Sequence, residues 1–305
     1  MTTSPAVDQT EGTTALPYLA LATVVFAWGS GPVVTKLITV PAILGVLLRY
    51  GVTVPVLFAM VHLQGAQVSR ETLRRAALPG LSFGINLIFV FRAVQEATVA
   101  VLAVATTLQP ALILLVAGPM FGEQPTRRHV GWTLVGVGGA AGVVLGAGSE
   151  LRASGLGVMF ALLAVVTFTA YFVLTRLARS TTAVDPVQWM AAINLWALIA
   201  VIPPTVFLAD LGDLDQMSGR DWLWLAVLAY GTGVFGHVVM SWVHGYVEAS
   251  RSSLTLLTMN IWAVVLAWPV HDEPVTVLQG LAGLVVLGAV AAVLRTPVRA
   301  APIPR

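Results

Sequence analysis

Apolar runs of about twenty residues alternate with short polar breaks along almost the whole chain. They fall near 17–37, 41–62, 75–95, 98–121, 129–147, 155–176, 187–208, 221–243, 250–270 and 275–294. A helix rises about 1.5 Å per residue, so about 20 apolar residues cross ~30 Å of hydrocarbon. Each run is therefore predicted to be a transmembrane helix. The connection between the third and fourth runs is especially short, and no connection leaves room for a soluble domain.

The pattern also repeats. One segment runs from Pro110 through Gly122 to Glu123, and another from Asn260 through Asp272 to Glu273, with 13 residues to the glutamate each time. Thr126 and Thr276 follow those glutamates by three residues. Thr35-Lys36-Leu37 aligns with Thr175-Arg176-Leu177, which sets Trp28 opposite Phe168 and Gly31 opposite Tyr171. Pro41 aligns with Pro186, which sets Arg49 opposite Asn194. With five spans per repeat, the second repeat enters from the opposite face. Inverted repeats of this kind place a solute site at their interface near the bilayer midplane. The division is a polar N-terminal tail over 1–16, repeats over 17–147 and 148–296, and a C-terminal tail over 297–305.

Charge orients the chain. With the N-terminus in the cytoplasm, eleven arginines lie on the cytoplasmic side: Arg70, Arg74, Arg75, Arg127, Arg128, Arg176, Arg179, Arg251, Arg295, Arg299 and Arg305. Lys36, Arg92, Arg152 and Arg220 lie outside, and Arg49 lies within a span. The positive-inside rule favours this orientation, with both termini cytoplasmic. The first span reads as a retained helix. It is too long for the apolar core of a signal peptide, and Asp8 and Glu11 precede it without any Lys or Arg.

Composition closes off other classes. The chain is 57% hydrophobic and 10% charged, against about 25% charged for a soluble domain. The expected fold is an all-α polytopic membrane protein of ten helices in two inverted five-helix repeats. The net charge is +2 and the basic residues are scattered, so no nucleic-acid surface is expected. The absence of cysteine removes disulfides, thiolate catalysis and cysteine metal sites. There is no phosphate-binding Gly-x-x-x-x-Gly-Lys-Ser/Thr loop and no His-Glu-x-x-His zinc motif. Gly136, Gly138, Gly139 and Gly142 lie inside an apolar span, where they read as close helix packing rather than a dinucleotide loop. No cofactor or metal is expected.

Several local patterns resemble the EamA type of the drug/metabolite transporter superfamily. Phe26-Ala-Trp28-Gly29-Ser30 with Lys36 is similar to that family's first helix, and Pro41 with Leu48-Arg49-Tyr50 to its second. Pro110 with Gly122-Glu123 is similar to the end of its fourth helix. Gly236-His237, Trp242 and Ala249-Ser250-Arg251-Ser252-Ser253-Leu254 resemble its eighth and ninth helices. The resemblance covers about 17–294. It implies a ten-helix inverted-repeat fold and a central cavity lined mainly by helices one, three, four, six, eight and nine. It also implies transport of small metabolites, often export of amino acids or related compounds. One departure stands out. The second repeat of the family usually carries Glu-Pro where this chain has Met259-Asn260, so the proline that would weaken helix nine is missing.

Polar groups in a membrane are costly and each needs a partner, a cavity or a function. Arg49 lies eight residues past Pro41, about 12 Å along a helix. It is either an anion-binding group facing the cavity or a structural clamp that holds backbone carbonyls or snorkels to one face, and its match to the family is at a scaffold position. Lys36 is an interfacial anchor or part of a gate. Asn86, Gln109 and Asn260 are neutral amides deep in spans three, four and nine. They are interhelical glue, or together they recognise a polar or zwitterionic solute. Pro110 after Gln109 frees carbonyls that could line a site. His237 could carry a proton or be a neutral bonded histidine. Trp28, Phe89, Tyr171, Trp242 and Trp262 could wall a cavity or only pack. Glu123 and Glu273 are expected to cap helices five and ten, with gating as the alternative.

The expected function is a secondary transporter, not an enzyme, moving a small polar metabolite across the inner membrane by alternating access. Export is the expected direction. Partners are that metabolite and the lipid bilayer, with a homodimer open. The alternatives are a proton-independent facilitator, a non-transporting scaffold, or an integral-membrane enzyme on a lipid-linked substrate using His271-Asp272-Glu273.

Overall fold

The long apolar runs wind into helices because backbone N–H and C=O groups find no partner in hydrocarbon other than one another. A computed structural model of the chain describes residues 15–35, 37–96, 99–146, 154–181, 184–272, 274–296 and 299–300. The readings placed on Lys36 and Glu273 lie outside the described residues. The helices are α1 (Leu16–Thr35), α2 (Ala42–Leu63), α3 (Arg70–Glu96), α4 (Val99–Thr106), α5 (Gln109–Phe121), α6 (Arg127–Leu145) and α7 (Gly155–Thr181). Then follow α8 (Pro186–Leu208), α9 (Gly219–Val227), α10 (Gly236–Val243), α11 (Ala249–Leu256), α12 (Met259–His271) and α13 (Val277–Leu294). A π-helical segment, Leu228–Phe235, joins α9 to α10.

Among the described residues, nine helical segments are long and apolar enough to cross a membrane. The tenth is α6, whose 19 residues reach about 28 Å. It is less apolar because it starts at Arg127-Arg128 and carries Gly131, Gly136, Gly138, Gly139 and Gly142. Spans four and nine are each broken. α4 and α5 are separated by Thr107-Leu108, and α11 and α12 by Leu257-Thr258, 150 residues further on. The chain is thus an all-α polytopic membrane protein of two repeats.

The glycines of α6 show how the repeats meet. A Cβ on Gly136 would sit 3.3 Å from Ala289 Cβ, and one on Gly139 3.0 Å from Val286 Cγ2. At Gly146, just beyond the helix, it would sit 3.0 Å from Gln279 Cγ. As the number rises on one helix it falls on the other, so α6 and α13 run antiparallel. These two are equivalent helices of the two repeats, and the repeats are therefore inverted. The small residues serve close packing. A second tight seam joins α3 to α8, where a Cβ on Gly84 would lie 2.6 Å from Ala197 O.

Local caps set the helix starts. Thr126 Oγ1 accepts from His129 N, and Thr276 forms a reciprocal capping box with Gln279. This corrects the role expected for Glu123. The start of helix five belongs to Thr126, because Glu123 points away. Its carboxylate accepts from Ala249 N at 2.8 Å, Ser250 N at 3.3 Å and Ser250 Oγ at 2.6 Å. Glu123 therefore caps α11, in the other repeat, where an anion suits the unpaired N–H groups. Next to it, Glu123–Gln124 pairs antiparallel with Arg299–Ala300. Arg299–Ala300 and the loop between α5 and α6 consequently share one face of the protein.

Candidate functional site

The sequence of spans one, three, six and eight places a bulky ring or a glycine on each inward face, and these interlock. Trp28 of α1 packs beside His237 of α10, with ring centres 4.7 Å apart. Its indole N–H donates to Thr232 O at 3.1 Å. The fit depends on Gly236, where a Cβ would stand 2.5 Å from Trp28 Nε1. Phe83 of α3 lies against His237 at 4.7 Å and stacks on Tyr171 of α7 at 4.5 Å. Tyr171 Oη and His237 Nδ1 share a hydrogen bond of 3.0 Å whose donor depends on the tautomer. Trp28 and Phe168, equivalent positions of the two repeats, meet edge to face at 6.2 Å.

Arg49 borders this cluster from α2. A Cβ on Gly233, in the π-helical turn, would lie 3.4 Å from Arg49 Nε and 3.6 Å from Arg49 Nη2. The guanidinium is also within electrostatic range of Tyr50, Tyr171 and His237. Among the described residues it makes no hydrogen bond to a backbone carbonyl and no ion pair. Among the described residues the guanidinium thus holds no backbone carbonyl, which leaves snorkelling to one face and anion binding as its readings. The residue is half-buried, and its nitrogens are not among the enclosed, unpartnered atoms. They keep some accessible surface.

The three amides separate. Asn86 Nδ2 donates to Ala164 O at 2.7 Å, tying α3 to α7. Gln109 is buried at the start of α5 beside Pro110, and its Nε2 has no partner. Asn260 is half-buried, and its Nδ2 reaches Leu257 O at 3.3 Å, across the break in its own span. Trp242 and Trp262 stand outside the aromatic cluster. Trp242 packs on Tyr246 at 4.7 Å. Trp262 meets Phe26 at 5.2 Å and is 40% exposed. Phe89 lies against Phe160 at 6.0 Å.

Sequence reasoning missed Phe83 and Thr232. Phe83 precedes Asn86 by three residues, so both lie on one face of α3, and the amide could have drawn attention to its neighbour. The π-helical turn carries Gly231 and Gly233, which the reading passed over. Such segments are frequent at functional sites. His271, from the cluster weighed for the enzyme alternative, shares a hydrogen bond between its Nε2 and Val33 O at 3.0 Å.

The two faces of the bundle differ. On the face that holds Glu123, Arg179 Nε donates to Ser241 O at 3.0 Å, and Arg176 Nη1 donates to His244 O. These bonds fasten α7 to the end of span eight. On the same face α5 packs against α11, whereas their counterparts α4 and α12 make at most a glancing contact. On the other face, Asp221 holds the loop between α1 and α2 by accepting from Thr39 N at 2.9 Å and Thr39 Oγ1 at 3.0 Å.

The fold has a solved counterpart. A crystal structure described only as that of a protein aligns with a TM-score of 0.75, covering 91% of this chain and 97% of the other at 18% identity. That likeness speaks to the fold alone. No curated protein matches the chain. The EamA-like transporter family matches over residues 15–145 and again over 155–295, which are the two five-helix units joined antiparallel through α6 and α13. With both units matched, the chain belongs to the EamA-like transporter family and is a membrane transporter of the drug/metabolite type.

Proposed function

We propose that the protein exports a small polar metabolite, an amino acid or related compound, across the inner membrane by alternating access. Both termini are cytoplasmic in this reading, and the repeats rock about the cluster of Trp28, Phe83, Tyr171 and His237. The observation that carries it is the pair of broken spans, four and nine, interrupted at equivalent points. Discontinuous helices of this kind expose backbone groups to solute where continuous helices cannot. The packed halves α5 and α11 beside the separated halves α4 and α12 fit one state of such a cycle, closed at the Glu123 face.

The test compares metabolites inside and outside cells with and without the protein, and with Gln109→Leu and Asn260→Leu variants at matched membrane levels. A compound depleted inside and enriched outside, and restored by either variant, supports export through this site. Unchanged pools with the protein present in the membrane would overturn the exporter reading. Full transport by both variants would move the site away from the breaks.

A further inference from the structure

The strongest unanswered feature is a full positive charge that has no negative partner among the described residues. None of the fourteen acidic residues lies in the interior of a span. The acids that do form ion pairs among the described residues, Glu71, Glu96 and Glu248, do so with Arg75, Arg92 and Arg251. Arg49 sits seven residues into α2, about 10 Å along the helix. An arginine at such depth is expensive unless something answers its charge. It reaches no carbonyl and no carboxylate among the described residues, yet its nitrogens keep some accessible surface beside Gly233.

We propose that Arg49 is the anchor for a carboxylate on the transported solute. The guanidinium is a planar fork that matches a carboxylate with two parallel hydrogen bonds. One unanswered charge suits a singly charged anionic group, and a dianion would leave excess negative charge in the bundle. Arg49 and Trp28 both abut the same stretch of span eight, through Gly233 on one side and Thr232 and Gly236 on the other. A solute held by its carboxylate at Arg49 therefore lays its remaining body towards the Trp28 ring. This rests on the transporter reading only for the word transported. The binding claim stands or falls separately.

The experiment measures thermal unfolding of the purified full-length protein in detergent at fixed ionic strength. The probes are acetate, benzoate and L-phenylalanine, set against acetamide, benzamide and phenylalaninamide. At least one carboxylate should raise the unfolding temperature of the wild type by a few degrees, with no shift from its amide. Arg49→Gln should abolish the shift, and Arg49→Lys should restore part of it. Without probe, Arg49→Gln should unfold no earlier than wild type, because no bond to the protein is lost. Equal shifts from acid and amide, no shift from any carboxylate, or a shift kept by Arg49→Gln would overturn the proposal. So would a large loss of stability in the unliganded Arg49→Gln protein, which marks a structural clamp. Binding lost with Arg49 in a protein that moves no metabolite would leave this inference standing and remove the exporter reading.

Discussion

Spans four and nine are broken at the same point by different means. In span four the ring of Pro110 denies the helix a backbone donor. In span nine the equivalent residue is Asn260, whose N–H is present and donates to Leu257 O at 3.2 Å in a tightened turn. The geometry before the two breaks is nevertheless alike. Thr107 N reaches Val104 O at 3.1 Å and Leu108 N reaches Ala105 O at 3.0 Å. Leu257 N and Thr258 N reach Leu254 O and Thr255 O, both at 3.0 Å. A threonine hydroxyl closes each turn, from Thr107 to Val104 O and from Thr258 to Thr255 O, at 2.7 Å. The break is thus a property of the repeat, imposed by packing, and proline is only one way of meeting it.

The packing that imposes it in span nine comes from α1. A Cβ on Gly29 would stand 2.7 Å from Met259 O and 2.6 Å from Trp262 Cβ, at the first turn after the break. Gly29→Val is therefore expected to have the largest effect. Overpacking costs about 1–3 kcal/mol and more where backbone blocks relaxation. The expected outcome is a steep fall in unfolding temperature or in the amount of protein folded in the membrane. A variant as stable as wild type would mean that α1 does not hold the break in place.

Next in size comes the contact of Glu123 with the start of α11. Glu123→Gln keeps the shape of the side chain and removes its charge from three hydrogen bonds at the start of α11. Hydrogen bonds to charged groups are worth about 1.5–3 kcal/mol, of which the amide retains part. A loss of roughly 1–2 kcal/mol is expected in chemical unfolding. Part of the loss should disappear when Ser250→Ala is already present, because that variant removes the hydroxyl bond and keeps the two backbone donors. Fully additive losses would show that the hydroxyl bond contributes nothing.

Smaller still is the exchange at the breaks themselves. Asn260→Pro removes the Asn260 N–Leu257 O bond and the reach of the side-chain amide, for an expected cost of about 1 kcal/mol. Pro110→Asn should cost less than that, because span nine shows that an asparagine fits the same geometry. A cost above about 3 kcal/mol for Asn260→Pro, the figure for proline in an unbroken helix, would mean that the two breaks are not equivalent.

The sequence carried most of the first half of this picture and little of the second. Ten spans were legible because twenty apolar residues in a row have few other fates, and the inversion followed from a repeat of five. Thr126 and Thr276 were visible as equivalent positions, yet their capping role was assigned to the glutamates. Charge near a helix start looks like a cap for that helix until a distant helix start comes closer. The break in span nine was hidden because the missing proline was read as a missing break. Trp28, Tyr171 and His237 proved to be neighbours, whereas Trp242 and Trp262 did not. Spacing along one helix cannot tell which face another helix covers. That Arg49 has no partner among the described residues was likewise unreadable, since lack of a partner is a fact about every surrounding element.

The smallest effect tests the equivalence of the repeats most finely. Both broken spans end on a residue in the left-handed region, Gly122 with φ 64° and Asp272 with φ 54°. Glycine adopts this conformation freely, and an aspartate does so at a cost of up to about 1 kcal/mol. Against that, glycine loses more backbone entropy on folding. Gly122→Asp should therefore destabilise by somewhat under 1 kcal/mol, and Asp272→Gly should stabilise by a few tenths. The exchange of both residues should be close to neutral, because the two sites cap the C-terminal ends of equivalent helices on opposite faces of the bundle and share no partner among the described residues. Chemical unfolding of the two single variants and the double decides the matter. Single effects of the same sign would mean that Asp272 contributes a bond from its side chain that Gly122 has never needed, and the likeness of the two ends would then stop at the backbone.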